Sequence, residues 1–435
     1  MNRVYLLIQR YRGFFKDAIG LIGSTTLAKI IGLALVPVVT RLFTPDDFGV
    51  MAIVLSLGLL FGNVGTLRYD QAIVLPRSGS DAVRLTVLSL WSVFAISTLL
   101  LVVSIAVDFL GVESGIISQI GVWIYSIPLI VLLIGFNKVI SAWCARETIY
   151  PVIGKSEIMA SLMTGLPRIA IGFVYGSSIG GLLFGAIFGF IAKGAMLLSG
   201  VNLCEMRKVS KASDKGLLHI ANQYRDFPVY SVPTGFLREF IQKMPVIVLG
   251  VIFMPAVVGL YAMANRIARI PIEIISSSLR RIYVQRIAKL RNMGHAISGV
   301  LIKATLGLFL LGLVPYLTLA FFGEPLFGWL LGKSWAASGK YASILVPWLF
   351  SVFIVSPSTT NFIVLKRQPL LLKIQFYTGV LGLGVFLVAY LINAEPELSL
   401  VMYSSAATLA NMVLFAISLL ITRSDDRDRE LLGAE

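Results

Sequence analysis

Six ionisable side chains interrupt an otherwise apolar stretch between Phe227 and Glu273: Arg238, Glu239, Lys243, Arg266, Arg269 and Glu273. A charge at bilayer depth costs about 2.5–3.5 kcal/mol on insertion scales, so such side chains face protein or water rather than lipid. Glu239 and Lys243 stand four apart with the acid first, the favourable order for a pair on one helix face. Arg266, Arg269 and Glu273 follow an i, i+3, i+7 pattern and share a face as well. Bases outnumber acids. The chemistry open to such a set is contact with an anion passing through a wet cavity inside a membrane. Lys29, Arg68 and Asp70, in the first two apolar segments, extend the set.

Membrane-spanning helices have to position these charges. The chain has 435 residues, 57% of them hydrophobic, and a mean hydropathy of +0.87. Apolar segments of about 20 residues, the length that crosses a bilayer, recur from end to end. They predict twelve spans, at residues 19–40, 48–67, 84–107, 117–142, 157–176, 179–202, 227–252, 257–279, 298–322, 340–363, 370–392 and 398–421. An even number places both termini on one side. Of 37 Lys and Arg residues, 24 lie in the termini and the loops of that side, whereas the opposite loops hold only Arg41, Lys333 and Lys340. Basic residues accumulate in cytoplasmic loops, so both termini are expected in the cytoplasm. This orientation bias also accounts for the net charge of +15 without nucleic acid. The N-terminal stretch 1–16, broken by Arg10, Arg12 and Lys16, reads as a basic amphipathic segment on the inner leaflet rather than a signal peptide.

Ten bases remain within the predicted spans or at their edges: Lys29, Arg68, Lys138, Arg168, Lys193, Arg238, Lys243, Arg266, Arg269 and Lys303. Lys303 lies near a cytoplasmic end, and Lys138 is within snorkelling reach of one. Arg168 and Lys193 stand outside the central helices, for a structural or a sugar-contacting role. The others occupy spans 1, 2, 7 and 8 alone. Phe43, Pro45, Gly49 and Ala52, linking spans 1 and 2, recur 210 residues later as Phe253, Pro255, Gly259 and Ala262, linking spans 7 and 8. Two equivalent halves follow, a parallel six-span repeat about an axis along the membrane normal. The expected fold is an all-α polytopic membrane protein. Its twelve transmembrane helices form two pseudo-symmetric six-helix lobes around a central cationic cavity. The domains are an N-terminal lobe at 1–203, a basic cytoplasmic linker at 204–226, a C-terminal lobe at 227–422 and a tail at 423–435. Gly180, Gly181, Gly185 and Gly189 form a small-residue face on span 6 that suits close helix packing. Prolines inside the spans mark kinks.

No phosphate-binding loop is present, so ATP does not drive the protein directly. His219 and His295 fall in cytoplasmic loops, which leaves no intramembrane histidine relay. Cys144 and Cys204 make neither a metal pattern nor an expected disulfide. No outer loop exceeds about twenty residues, the room an acceptor-holding site would need. Neither a catalytic residue nor a cofactor is expected.

The stretches TRLFTPDDFGVMAIVLSLG, LRYDQAIVLPRS, YRDFPVYSVPTGFL, VVGLYAMANRIARIPIEII and FGWLLGKSWAASGKYASIL together resemble the Wzx-type polysaccharide-biosynthesis flippases. Those exporters of lipid-linked oligosaccharides belong to the superfamily that also holds the MATE and MurJ transporters. The resemblance implies two six-helix lobes, a cavity lined by spans 1, 2, 7 and 8, and alternating access. It also implies an undecaprenyl-diphosphate-linked oligosaccharide as substrate, flipped from the cytoplasmic to the periplasmic leaflet of a bacterial inner membrane for O-antigen, capsule or exopolysaccharide synthesis. A polysaccharide polymerase and a chain-length regulator are partners on the same ground. A diphosphate needs cations, and arginine offers it a bidentate fork. Lys29, Arg68, Arg238, Lys243, Arg266 and Arg269 are therefore candidate substrate contacts, and Asp70, Glu239 and Glu273 candidate carriers of a coupling proton or sodium ion. Arg68 with Asp70, and Glu239 with Lys243, read equally as structural ion pairs. A MATE-like cation antiporter is the first rival, and the surplus of bases disfavours it. A polymerase-type glycosyltransferase and a non-catalytic scaffold are the others.

Overall fold

The computed structural model describes residues 20–112, 115–202 and 216–432. The N-terminal amphipathic stretch, Cys204 and the linker lysines Lys208, Lys211 and Lys215 lie outside them. Among the described residues every regular element is a helix. Ten helices among them are long and apolar enough to cross a membrane. They are α1 (Gly20–Leu42), α2 (Pro45–Gly62), α3 (Gly79–Phe109), α4 (Ile116–Arg146), α5 (Tyr150–Tyr175) and α6 (Ile179–Leu198), then α10 (Ser298–Leu331), α11 (Lys333–Val364), α12 (Gln368–Leu391) and α13 (Pro396–Arg429). The predicted spans at 227–252 and 257–279 correspond to α7 (Val232–Ile252) and α8 (Pro255–Ala268). These two do not meet the same measure of length and apolarity, so that measure matches ten of the twelve expected spans among the described residues. The cause is visible in the residues. Arg238, Glu239 and Lys243 dilute the apolar run of α7, and α8 has only 14 residues.

Past α8 the backbone widens into a π turn at Ile272–Ser276. It then continues as α9 (Ser277–Asn292), a polar helix where the sequence suggested a loop. A second π turn, Phe227–Ser231, precedes α7. Prolines explain part of the irregularity, since each lacks an N–H and crowds the carbonyl four residues back. Pro37 accompanies the break of α1 at Leu35, whereas Pro167, Pro245, Pro315 and Pro347 stay inside continuous helices.

Two compact units divide the chain, Met1–Val258 and Gly259–Glu435. In the first, α5 lies along α6, α3 and α2 pack on α4, and α7 packs on α2. Gly185 and Gly189 of α6 sit directly against Thr164 and Arg168 of α5, the close approach expected of that small-residue face. At its polar end, Tyr69, Ile73, Leu85, Trp143 and Ile220 form a buried cluster with Tyr224 and Phe227 against it. Arg146 donates to the carbonyls of Ile73 and Pro76 at 2.9 and 2.8 Å, tying the loop after α2 to α4.

In the second unit α10 lies along α11, and α11 and α12 pack on α13. The polar helix α9 is fastened by side chains. Tyr283 donates to Asn361 Oδ1 at 2.8 Å, Asn361 donates to Thr422 at 3.0 Å, and Arg291 forks onto Asp425 at 2.9 and 3.1 Å. Burial pushes the Tyr283 hydroxyl well above its usual range, so it remains a donor. Asp426 accepts from the Ile297 and Ser298 N–H groups at 2.8 and 2.9 Å, capping the start of α10.

The turns that recur in the sequence share a geometry. Phe43 and Phe253 are both extended, at φ −127° and −123°, and each closes its helix by donating to the carbonyl four residues back. Pro45 and Pro255 each open the next helix. At the first turn Thr44 and Asp47 form a reciprocal capping box. A Cβ on Gly49 would overlap the Pro255 carbonyl, a backbone group that cannot swing aside. Gly49→Ala should therefore destabilise the purified protein by about 1–3 kcal/mol. Gly307→Ala, with nothing within 4 Å, should be neutral or better; thermal unfolding in detergent compares the two.

Candidate functional site

In the first unit, Arg68 and Asp70 stand where α2 runs out. Leu67 and Arg68 are consecutive left-handed residues, at φ 48° and 60°, and a short 3-10 turn, Tyr69–Ala72, follows. Non-glycine residues pay for that backbone, and the result is that both side chains turn inward. Arg68 is 5% exposed and Asp70 7%. Asp70 accepts a 2.5 Å hydrogen bond from Thr66 and lies 3.9 Å from Lys138 Nζ, which also donates to the Asn63 carbonyl at 2.8 Å. Arg68 lies flat on Gly235 of α7. Its Nε and one Nη are buried with no acceptor among the described residues. Arg238 and Glu239 are within electrostatic reach of both Arg68 and Lys138. Three cations and two anions thus share one patch, with unspent donors on Arg68.

The structure bears on one of the two expected ion pairs. Arg68 and Asp70 form no ion pair; the acid belongs to Lys138 instead. Lys138, expected to snorkel, is held in place. Its partner was missed because 68 residues of sequence separate it from Asp70. Arg238 is exposed, Glu239 and Lys243 are half-buried on the same helix, and Lys29 is exposed on α1. The two other intramembrane bases of this unit serve the packing. Arg168 is buried and donates to the Leu182 carbonyl at 2.9 Å, and Lys193 pairs with Glu157 at 2.6 Å.

In the second unit, Arg266 is exposed on α8 and Glu273 is exposed on the π turn beyond it, within electrostatic reach. Arg269 occupies the break between α8 and that turn and is part-exposed. Its Nε donates to Asn265 Oδ1 at 2.9 Å, and its guanidinium lies 5.4 Å over the Trp348 ring. The sequence pattern put Arg266, Arg269 and Glu273 on one face but gave no sign of Asn265 or Trp348. Among the described residues no group of three or more His, Cys, Asp or Glu side chains could hold a metal.

Comparison with known proteins agrees with this architecture. The family model described as polysaccharide biosynthesis protein matches residues 38–340. Among curated proteins no relative matches the sequence. The fold is similar to that of the lipid II flippase MurJ in an inward closed conformation, at TM-score 0.68 and 12% identity, covering 95% of this chain and 90% of that one. It is also similar to a mutant of the Vibrio cholerae MATE transporter VcmN, at 0.55 and 14%, covering 95% and 96%. A third similar structure is a MOP superfamily transporter from Pyrococcus furiosus, at 0.54 and 13%, covering 95% of each chain.

The Lys138–Asp70 pair yields a stability test. Removing one partner of a buried pair strands the other charge, at about 3–5 kcal/mol. Asp70→Leu or Lys138→Met alone should lower the unfolding temperature sharply, and the double variant should recover much of the loss. A double variant no better than the worse single would show that the two charges act independently.

Proposed function

The chain belongs to the polysaccharide biosynthesis protein family and shares its fold with flippases and transporters. From that premise we propose that it flips an undecaprenyl-diphosphate-linked oligosaccharide from the cytoplasmic to the periplasmic leaflet of a bacterial inner membrane, with both termini cytoplasmic. The observation that carries the reading is the sign and state of the intramembrane charge. Arg68 keeps buried donors without acceptors, and Arg269 keeps its two Nη groups without an acceptor among the described residues. A diphosphate entering a low-dielectric environment loses its hydration and needs such donors. Cationic drugs would want the reverse, which disfavours the antiporter reading.

The proposed arrangement is two six-helix lobes, joined through 204–226, that alternately open a cationic cavity to either side. Arg68, Arg238, Arg266 and Arg269 take the diphosphate, and Lys29 and Lys243 assist. A polymerase and a chain-length regulator would receive the product. In proteoliposomes, Arg266→Ala with Arg269→Ala should cut flipping of a diphosphate-linked oligosaccharide at least tenfold while leaving insertion intact. Unchanged flipping would reduce both arginines to helix packing.

Coupling to a proton or sodium gradient is proposed to run through Asp70, Glu239 or Glu273. Asp70 accepts from Thr66 and lies beside Lys138, whereas Glu239 is half-buried on α7 and Glu273 is exposed on the π turn beyond α8. Replacing all three by the matching amides should abolish stimulation of transport by an imposed ion gradient. Transport that still responds to the gradient would remove these acids from the coupling step.

A further inference from the structure

We infer that Asn265 and Trp348 are positioning residues that hold Arg269 with its two Nη groups free for an oxyanion, so that Arg269 is presented as a rigid donor rather than a mobile cation. This rests on the reading of Arg269 as a diphosphate contact and deepens it.

Arg269 stands at a discontinuity. Asn265 precedes it by one helical turn, and Pro271 follows, removing an N–H from the backbone just before the π turn Ile272–Ser276. Single π turns within helices recur at functional sites. Two neighbouring helices secure the break. Tyr316 of α10 is buried and its hydroxyl donates to the Ala268 carbonyl at 3.3 Å. Trp348 of α11 offers its ring face to the guanidinium at 5.4 Å. Trp348 is itself fixed, with Tyr403 edge-on at 5.1 Å and Phe386 stacked on Tyr403 at 5.0 Å.

Each contact takes a different part of the guanidinium. Asn265 Oδ1 occupies Nε at 2.9 Å, and the indole covers one face. What remains is the edge bearing Nη1 and Nη2, which meets no acceptor among the described residues. A guanidinium free to rotate loses side-chain entropy when it binds; one already clamped loses less. The clamp is also sign-selective. Neither the indole face nor the Asn265 amide neutralises the cation, whereas a carboxylate partner would. Trp is the strongest aromatic partner for a cation, and Phe retains part of the attraction.

The test is a mutant cycle on the purified full-length protein in detergent, titrated with farnesyl diphosphate and with farnesol as the uncharged control. The wild type is expected to bind the diphosphate and to discriminate against the alcohol. Trp348→Leu should weaken diphosphate binding about tenfold, Trp348→Phe by no more than about threefold, and Asn265→Ala by several fold. In an Arg269→Ala background neither change should weaken binding further, because the group they position is gone. Where Trp348→Leu fails to fold, the Asn265→Ala cycle carries the same comparison from a part-exposed position. Equal losses with and without Arg269 would overturn the inference, as would unaltered binding in both Trp348→Leu and Asn265→Ala while Arg269→Ala weakens it. In the second of those outcomes Arg269 remains a diphosphate contact. If Arg269→Ala itself binds like the wild type, or the wild type does not distinguish the diphosphate from the alcohol, the underlying assignment fails along with the inference.

Discussion

The cost of placing a charge in hydrocarbon governs this molecule more than any single packing contact. A desolvated guanidinium or ammonium is tolerated only where carbonyls, carboxylates or ring faces replace its water. The sequence displays ten bases within apolar segments, and the structure sorts several of them by what replaces that water. Lys138 has an acid and a main-chain carbonyl, Arg168 a carbonyl of the neighbouring helix, and Lys193 an acid. Those three are spent on holding helices together. Arg68 and Arg269 retain donors that meet no acceptor among the described residues, and this distinction, rather than location alone, is what the proposed substrate role rests on.

The same constraint accounts for α7 and α8 departing from the other long helices. A helix bearing Arg238, Glu239 and Lys243 cannot present an apolar surface all round, so it cannot be stabilised as an ordinary lipid-facing span. Irregular backbone accompanies those charges. One π turn leads into α7 and the other leads out of α8. Each widens the helix next to the segment carrying the charge. The turn between the two helices, by contrast, repeats the geometry of the turn between α1 and α2 down to the extended phenylalanine and the proline that restarts the helix. Regular geometry is kept where packing demands it, as where Gly49 meets Pro255, and given up beside the charges.

How much of this was legible in the sequence follows from range. Apolar length is a local property, and it located the ten described helices that are long and apolar enough to cross a membrane, and the apolar cores of α7 and α8. The Phe-Pro-Gly-Ala repeat is local too, and its geometry recurs. The helical spacing of Arg266, Arg269 and Glu273 marks a charged stretch, which the structure breaks at Arg269 and widens into a π turn at Glu273, and spacing along one helix is silent about what lies across from it. Trp348 is 79 residues from Arg269 and Lys138 is 68 from Asp70, so neither contact has a signature within a window. Backbone state was hidden for another reason. Leu67 and Arg68 are not residues that advertise a left-handed turn, as glycine or asparagine would. The polar helix α9 was mistaken for a loop because its charge masked its helical continuity with α8.

That left-handed pair bears on function directly. Two consecutive non-glycine residues at positive φ cost free energy that the rest of the fold has to offset, and strain of this kind concentrates where a site requires a particular presentation. Here it accompanies the packing of Arg68 onto Gly235, whose missing side chain is what makes room for the guanidinium. A packing role would be served better by an apolar side chain with relaxed backbone, since an orphaned buried donor costs about 1–3 kcal/mol. Strain and orphaned donors together weigh against stability and are kept nonetheless. On the proposed function, a ligand that accepts from Arg68 at one stage of a transport cycle, and leaves it again at another, gives that cost a purpose.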